Sequence, residues 1–333
     1  MSAESDATDG AAACSDRPPR PLDITVLMGG PSSERDVSLL SGAAIADALE
    51  RRGHCVTRAD ISPKDTSALG RSGIELVFIA LHGEFGESGE VQQLCELRGL
   101  AYTGSSPQAS ELAMDKAAAK QLFKRAGLDT PDWCIIEDFH TPQDYRRWLA
   151  EEFGPPVVVK PVAGGSSIDI TIARDEAVRD EAVDSLMDKY GRVLVEKLVT
   201  GRELTVGILG EQALPVLQVV PSREFYDYTA KYADGAGTQY LFEHGLDAPD
   251  VAAVQAAALT AHRSLDCRDL SRVDIIREDN GRLNVLEINT IPGFTSHSLV
   301  PMAAERAGIG FDELVDRIAA MAMRRWAGCV DRR

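Results

Sequence analysis

Two short runs of alternating residues, separated by a turn sequence, constrain this chain more strongly than any other stretch. The first run begins at Arg272 and the second ends at Asn289, and the Asp-Asn-Gly turn at 279–281 favours a tight connection between two strands. Residues two apart on a strand face the same side of a sheet. Arg272 and Asp274 therefore share a face, as do Glu287 and Asn289, and pairing of the strands would bring all four together.

These side chains offer three oxygen ligands beside one guanidinium. Hard oxygen ligands without histidine or cysteine suit Mg²⁺, in particular Mg²⁺ that also holds substrate phosphates. The alternative is a solvated strand face that carries ordinary charges. The Pro292-Gly293 pair and the polar run that follows it are more typical of a structured loop, so we predict a metal site of Asp274, Glu287 and Asn289.

The acidic composition limits the partners of the protein. The chain of 333 residues contains 35 basic and 52 acidic side chains, for a formal net charge of −17, which argues against a nucleic acid or an anionic membrane as the main partner. An anionic substrate would then need a local positive site. Lysine is scarce, at eight residues, and half of them fall within the motifs discussed below: Lys116, Lys160, Lys197 and Lys231.

Cysteine usage and the amino-terminal composition bear on the compartment of the protein. The six cysteines are scattered, with no CxxC pair and no zinc-type spacing to histidine, which is typical of reduced thiols in a cytosolic enzyme. Residues 1–21 are rich in Ala, Ser, Asp and Pro and resemble neither a signal peptide nor a membrane span. No later stretch is long and apolar enough to cross a bilayer, so we expect a cytoplasmic protein with a disordered tail over 1–21.

The amino-terminal part is predicted to be a doubly wound α/β domain over residues 22–127. A strand at 24–28 ends in two glycines and is followed by a helix over 37–51, which is how such a unit opens. Ligands bind at these strand ends, and a helix amino terminus favours anions. Glu34, near the start of the helix, could hold a substrate ammonium or only stabilise the helix dipole. His82 opens a glycine-rich loop after a further strand.

The rest of the chain is predicted to form a central domain over 128–210 and a carboxyl-terminal domain over 211–333. In the central domain a strand that ends near Lys160 precedes a Gly-Gly-Ser-Ser loop, which can wrap phosphates with backbone N–H groups and hydroxyls. The order of lysine and glycines differs from that of a Walker A loop. In the carboxyl-terminal domain the long polar segment at about 222–240 has the length of a lid or binding loop.

A series of segments from Ile24 to Trp326 carries a family resemblance. They read GGPSSERDVSLLSG, the His-Gly loop, AYTGSS with MDK, VVVKP, VEKLVTGRE, FYDYTAKY, RVD and LEINTIPGFTSHSLVP. In this order they resemble the D-alanine–D-alanine ligases of the ATP-grasp superfamily. The resemblance implies an α/β chain (α+β overall) in the three-domain ATP-grasp architecture, with ATP between the last two domains, and a homodimer.

The resemblance also implies a reaction. ATP phosphorylates the carboxylate of a first D-alanine, the amine of a second D-alanine attacks the acyl phosphate, and phosphate leaves. The product, D-alanyl-D-alanine, feeds peptidoglycan synthesis. The expected partners are therefore the small molecules D-alanine and ATP, without nucleic acid or membrane.

Three groups of residues take part by this resemblance. The catalytic and substrate-binding residues are Glu34, His82, Ser166, Tyr232, Arg272, Gly293, Ser298 and Leu299. The ATP-binding residues are Lys116, Lys160, Glu196, Lys197, Val199, Glu203 and Lys231. Two Mg²⁺ ions, for which Mn²⁺ can substitute, would be held by Asp274, Glu287 and Asn289.

The implied roles differ within these groups. Glu34 holds the first ammonium, Arg272 and the backbone N–H of Gly293 stabilise the acyl phosphate and the oxyanion, and Ser298 and Leu299 receive the second carboxylate. For ATP, the two lysines at 116 and 160 neutralise phosphates, the stretch 196–199 meets adenine, and the glutamate at 203 binds ribose.

The implied lid carries a tyrosine, Tyr232, that would bond to Ser166 and Glu34 and close the site against water. A tyrosine here resembles the enzymes that form the dipeptide rather than an ester. Lys231 precedes it in the same loop.

Three positions depart from the family pattern. Ser88 and Gly164 stand where the family has carboxylates, and Asp169 stands where it has a glycine. The Asp169 side chain could turn to solvent or face the phosphates. Our hypothesis is that it faces them and makes ATP binding depend strongly on Mg²⁺.

Two alternatives to the expected reaction remain. One is an ATP-grasp ligase with a different second substrate, such as D-serine. The other is a nucleotide-binding homologue that has lost catalysis. The latter predicts broken metal ligands or loss of Arg272, and all of these residues are present.

Overall fold

The computed structural model describes Pro18 and residues 20–137, 141–165, 168–221, 238–295 and 297–330. Within them it contains helices and three β-sheets, in agreement with the predicted mixed α/β class. Several predicted features lie outside the described residues: nearly all of the amino-terminal tail, most of the lid segment, Ser166, Lys231 and Tyr232.

Helices and strands are interspersed along the described part of the chain. The helices are α1 (Arg35–Arg51), α2 (Glu90–Leu97), α3 (Pro107–Met114), α4 (Lys116–Arg125), α5 (Pro142–Glu152), α6 (Glu176–Tyr190), α7 (Ala248–Ser264), α8 (Leu299–Arg306) and α9 (Phe311–Val330). The strands are β1 (Asp23–Gly29), β2 (Cys55–Ile61), β3 (Leu76–Ile79), β4 (Trp133–Ile136), β5 (Val157–Pro161), β6 (Thr171–Ala173), β7 (Val193–Lys197), β8 (Arg202–Leu209), β9 (Gln212–Ala213), β10 (Leu217–Val220), β11 (Gln239–Leu241), β12 (Leu270–Arg277) and β13 (Leu283–Asn289). In the described part of the chain, no helix has the length and apolar character needed to cross a bilayer.

The first sheet is parallel, in the order β2-β1-β3, and α1 packs on it. Its central strand β1 is buried along nearly its whole length, as parallel strands usually are. The strand ends at Gly29 and Gly30, with φ of +80° and +82°, angles that suit glycine. A Cβ on Gly29 would lie 2.2 Å from Oδ1 of Asp60. The predicted strand and glycine turn are confirmed, and α1 begins at Arg35, two residues before the predicted start.

The second sheet is antiparallel, in the order β4-β7-β5-β6, and α5 and α6 pack on it. Val158 of β5 pairs with Glu196 of β7. Lys160, two residues further along β5, is therefore a diagonal neighbour of Glu196 on the same face of the sheet. This register brings two predicted nucleotide-binding side chains together.

The third sheet has the order β11-β10-β8-β12-β13, with β9 paired to β8. β12 and β13 form the predicted hairpin, in which Arg272 pairs with Asn289 and Asp274 pairs with Glu287. The turn is closed by backbone hydrogen bonds around Gly281, whose φ is +88°. A register irregularity follows Asp274. The predicted pairing of these four side chains is confirmed.

Three segments lie on a different sheet from the one that the predicted domain limits suggest. β8 falls inside the predicted central domain 128–210 but pairs with β10 and β12 of the third sheet. α3 and α4 fall inside the predicted amino-terminal domain 22–127 but pack on the third sheet through Ala113, Ala119 and Phe123. Periodicity shows which face of a segment is apolar and not which sheet covers it. The division into three domains stays a prediction.

The packing of α4 on the third sheet can be tested with Phe123→Ala. This ring is fully buried in one cluster with Leu204 and Val273, and removal of a buried phenylalanine ring costs about 3–5 kcal/mol of unfolding free energy. We expect that loss in urea unfolding followed by circular dichroism. Leu97→Ala is the control, because Leu97 is 77% exposed and its loss should cost less than about 0.5 kcal/mol. Equal losses in the two variants would contradict this packing.

Candidate active site

Two cavities meet at the β12–β13 hairpin. The loop cavity, of about 280 Å³, is lined by the start of α1, the loop after β3, the start of α4 and residues within 287–295 and 297–299. The inter-sheet cavity, of about 430 Å³, lies between the second and third sheets. Arg272, Glu287 and Leu299 line both of them. A molecule in one cavity can therefore reach a molecule in the other along this hairpin.

Glu34 is buried at the start of α1, where its carboxylate lies close to two loops. A Cβ added to Gly83 would lie 3.0 Å from Glu34 Oε2, and one added to Gly165 would lie 3.1 Å from it. Gly83 belongs to the His-Gly loop, and Gly165 belongs to the predicted phosphate loop. Three motifs that are far apart in the sequence are thus gathered around one carboxylate.

Gly293 and Ser298 also line the loop cavity. A Cβ added to Gly293 would lie 3.2 Å from Ser298 Oγ. This hydroxyl oxygen accepts a hydrogen bond of 3.0 Å from the backbone N–H of Thr295. Ser298 directly precedes α8, which begins at Leu299. The first N–H groups of a helix have no partner within the helix and favour an anion, so the predicted carboxylate-binding residues lie at a suitable position.

His82 is buried in the wall of the loop cavity, and both of its ring nitrogens are engaged. Nδ1 lies 3.0 Å from the carbonyl oxygen of Ile291, and Nε2 lies 3.0 Å from Ser41 Oγ. Because a carbonyl only accepts, Nδ1 carries a proton, and in the neutral ring Nε2 accepts from the serine hydroxyl. Ser41 Oγ accepts in turn from the Phe294 N–H at 3.1 Å. His82 therefore connects the amino-terminal sheet to the segment 291–294, and its predicted contact with substrate stays a prediction.

The predicted metal ligands lie together on the hairpin. Asp274 and Glu287 are cross-strand partners, and Asn289 follows Glu287 on the same face. Arg272 donates two hydrogen bonds to Asp274, of 2.9 Å and 2.7 Å, and Thr205 donates a third, of 2.6 Å. No group of three His, Cys, Asp or Glu side chains among the described residues is placed to hold a metal ion. A site here would therefore need the amide oxygen of Asn289 as its third ligand.

This donor set fits a divalent cation that also binds phosphate. Asn289 Oδ1 accepts from the Ile291 N–H at 2.9 Å, and an amide oxygen has a second lone pair for an ion. Lys116 Nζ lies 3.8 Å from Glu287 Oε2 and donates to the Gly164 carbonyl at 2.5 Å. Two carboxylates and an amide oxygen are hard ligands of the kind that Mg²⁺ takes together with substrate phosphates.

The inter-sheet cavity is lined by the predicted adenine and ribose residues Glu196, Lys197, Val199 and Glu203. Lys197 Nζ donates to the Gly154 carbonyl at 2.9 Å and lies 4.9 Å from the centroid of the Phe153 ring. Because its ammonium is held by a neighbouring loop, a nucleotide contact at Lys197 would come from its backbone.

Glu196 is deeply buried between two lysines. Lys160 Nζ donates to Glu196 Oε1 at 2.5 Å, and Lys120 Nζ lies 2.9 Å from Oε2. Burial opposes ionisation of the Glu196 carboxyl, but the two lysines hold its pKa below the ordinary value. Lys120 is a residue of this site that the sequence motifs do not point to. Its spacing from Lys116 was the available signal, because residues four apart lie on one face of a helix.

The hypothesis that Asp169 faces the phosphates is wrong. Its carboxylate accepts hydrogen bonds from Lys189 and Tyr190 at the end of α6. The bond from Lys189, and after it the bond from Tyr190, holds the pKa of Asp169 below its ordinary value. The small cavity beside the phosphate loop is lined by Ile168 and Ile170 but not by Asp169. The reason is that an ammonium on α6 attracts the carboxylate away from the loop.

The other two departures from the family pattern also have local explanations. Gly164 has a φ of +123°, which glycine adopts without strain and a glutamate would not. Ser88 Oγ accepts a hydrogen bond of 3.2 Å from the Phe85 N–H and so helps to hold the loop that follows β3.

Comparison with known proteins identifies the family. The family model described as the D-ala D-ala ligase C-terminus matches residues 122–320. The chain is 42% identical to the D-alanine–D-alanine ligase of Methylacidiphilum infernorum (isolate V4), over 93% of this chain and 98% of that one. The chain belongs to the D-alanine–D-alanine ligase family.

Solved structures of related ligases share this fold. The D-alanine–D-alanine ligase from Bacillus anthracis complexed with ATP has a TM-score of 0.79 and 31% identity, over 93% of this chain and 99% of that one. The VanG D-Ala:D-Ser ligase from Enterococcus faecalis has a TM-score of 0.80 and 27% identity, over 91% of this chain and 100% of that one. The predicted family, the ATP-grasp fold and the assignment as an ATP-dependent ligase are confirmed.

In this ligase, Asp169→Asn should leave nucleotide binding unchanged, because the carboxylate is held by α6. We expect the KM for ATP to stay within about twofold of wild type at both low and high Mg²⁺, the usual effect of a surface substitution. Lys189→Met is the matched control, since it removes the same ion pair from the other side. A fall in KM that is confined to low Mg²⁺ and to the aspartate variant would restore the rejected hypothesis.

Proposed function

We propose that this protein joins two molecules of D-alanine into D-alanyl-D-alanine and converts ATP to ADP and phosphate. The observation that carries the proposal is the meeting of the loop cavity and the inter-sheet cavity at Arg272 and Glu287. A carboxylate activated by ATP must contact the γ-phosphate from outside the nucleotide site. Two cavities with one shared charged wall suit this requirement.

In the first step, a carboxylate oxygen of one D-alanine attacks the γ-phosphorus of ATP, and ADP leaves. Phosphoryl transfer needs positioning and charge neutralisation more than covalent help from the protein. Lys116, Lys160 and Arg272 would supply positive charge along the phosphates. Glu34 would hold the ammonium of this D-alanine, supported by its burial beside the phosphate loop.

In the second step, the amine of another D-alanine attacks the carbonyl carbon of the acyl phosphate, and phosphate leaves from the tetrahedral intermediate. The oxyanion of that intermediate would be stabilised by Arg272 and by the backbone N–H of Gly293. Ser298 and the start of α8 at Leu299 would receive the second carboxylate. The roles of Lys231 and of Tyr232 with Ser166 in closing the site against water are part of the same proposal.

A divalent cation completes the proposed site. Asp274, Glu287 and Asn289 would hold Mg²⁺, as two ions for which Mn²⁺ can substitute. When bound, the metal would neutralise charge on the triphosphate and on the transferred phosphoryl group. The support is the hard donor set on one face of the hairpin, next to Lys116.

Glu287→Gln tests the metal site. The amide removes one of two carboxylates and should lower turnover at least about a hundredfold, a usual loss when transition-state charge is left unbalanced, with an unchanged circular dichroism spectrum. Titration with Mn²⁺ followed by electron paramagnetic resonance should show weaker metal binding in the presence of ADP. Asp279→Asn, in the exposed turn of the same hairpin, is the control and should behave as wild type. Near wild-type turnover of Glu287→Gln at moderate Mg²⁺ would remove Glu287 from the site.

The acceptor can be identified by phosphate release with a panel of D- and L-amino acids. D-alanine alone should support ATP-dependent phosphate release, with one dipeptide formed per phosphate. D-serine is the alternative acceptor to include, because the VanG D-Ala:D-Ser ligase has the same fold. Release with D-alanine plus D-serine, and none with D-alanine alone, would replace the proposed function by the alternative.

We also propose that the product serves peptidoglycan synthesis, that the protein acts in the cytoplasm, and that it is a homodimer. The family and the use of ATP support the first two proposals. The last follows from the family resemblance, and light scattering coupled to size exclusion would measure the mass in solution against 35.9 kDa for one chain.

A further inference from the structure

Behind the inter-sheet cavity lies a buried charge cluster from three separate elements. It consists of Lys120 on α4, Lys160 on β5 and Glu196 on β7, and we call it the lysine–glutamate cluster. Each glutamate oxygen has its own lysine, at 2.5 Å for Lys160 and 2.9 Å for Lys120. All three side chains are buried, so the cluster holds two cations for one anion in a region of low dielectric.

Lys120 is held in place by several contacts besides its ion pair with Glu196. Its side chain is 0% exposed, and its ammonium donates to Thr130 Oγ1 at 2.7 Å and to the Pro131 carbonyl at 3.3 Å. It also lies 5.6 Å from the centroid of the Trp133 ring. Burial lowers the pKa of Lys120 to about 8, while Glu196 opposes the shift. The ammonium is therefore still mostly protonated at neutral pH.

The two lysines differ in what else they can reach. Lys160 lines the inter-sheet cavity and also the small cavity beside the phosphate loop, together with Lys116 and Gly164. Lys120 lines neither of these cavities. Only Lys160 is thus placed to turn towards a phosphate of a bound nucleotide.

A lysine that turns to a phosphate must leave the carboxylate that it was paired with. Removal of one partner from a buried ion pair is strongly unfavourable, because the other charge is left without compensation. In this cluster Glu196 keeps Lys120 when Lys160 leaves. The excess cation therefore makes Lys160 available to the nucleotide.

We propose that Lys120 is a positioning residue for ATP binding, which keeps the Glu196 carboxylate neutralised while the Lys160 ammonium moves from that carboxylate to a phosphate of ATP. The inference rests on the proposed use of ATP. It adds Lys120, which affects ATP binding only through Glu196 and Lys160. It assigns Glu196 to the control of Lys160 rather than to a side-chain contact with adenine.

Lys120→Met tests this assignment, because methionine keeps the length and the apolar part of the side chain without the charge. Lys160 is then the one cation left to balance Glu196 and should stay on it. We expect calorimetry with Mg²⁺ and the non-hydrolysable analogue AMPPNP to show binding weakened about tenfold or more, which corresponds to ~1.4 kcal/mol. The KM for D-alanine should change by less than about twofold, as for a site without shared partners.

Glu196→Gln added to Lys120→Met should restore AMPPNP binding to within about threefold of wild type, because the neutral amide no longer holds Lys160. A purely structural lysine would lower the melting temperature without this selective loss and rescue. If Lys120→Met does not fold, Glu196→Gln is compared with the double variant. The two should bind AMPPNP equally, and a tenfold difference between them would overturn the proposal.

Lys124→Met is the matched control. Lys124 lies one turn further along α4, 5.1 Å from the same Trp133 ring, but its side chain is 48% exposed and pairs with Asp132. The Lys124→Met variant should bind AMPPNP as wild type does. Wild-type affinity in Lys120→Met would overturn the inference and leave the ligase proposal standing. Absence of AMPPNP binding in wild type and in Lys124→Met would overturn both.

Discussion

The cross-strand pair of Asp274 and Glu287 is the contact on which the rest of the site depends. A slip of one residue between β12 and β13 would turn Glu287 and Asn289 to the other face of the sheet and disperse the proposed ligands. The register is held at two edges. The tight turn at Gly281 fixes β13 against β12, and β8 fixes β12 from the other side, where Thr205 pairs with Asp274 and donates a hydrogen bond to it. β8 is therefore needed to hold the register of the third sheet. That sheet supplies Arg272 and Glu287, which line both cavities.

Buried charge is the second constraint, and it acts against stability. Buried ion pairs are often no better for the free energy of unfolding than apolar residues of the same volume. A contribution to the stability of the fold therefore does not explain the three charged side chains of the lysine–glutamate cluster. Their arrangement is better explained by an anionic ligand, since an acidic chain with a net charge of −17 repels a nucleotide at long range. Positive charge held inside the protein acts on a bound phosphate with little screening by water.

Local sequence signals predicted the features that depend only on residues close together in the chain. The β12–β13 hairpin and the turn at Gly29 follow from alternation and glycine chemistry, and the structure contains both. Signals of this kind do not identify which distant residue a side chain will contact in the folded protein. The partner of Asp169 lies on α6, and the pairing of Lys120 with Glu196 joins α4 to β7. The sheet to which β8 belongs could not be predicted for the same reason, because a buried apolar strand suits either of two adjacent sheets.

The segment around Gly293 shows how a tertiary partner can determine a catalytic group. The backbone of a flexible loop would present its N–H in many directions, whereas an oxyanion donor is effective when it is oriented in advance. Here His82 holds the carbonyl of Ile291 on one side of Gly293, and Ser41 holds the N–H of Phe294 on the other. Ser41 and His82 are both buried, so water does not compete for these bonds. The direction of the proposed oxyanion donor is thus set in part from α1, by a serine 253 residues earlier in the chain than the amide it holds.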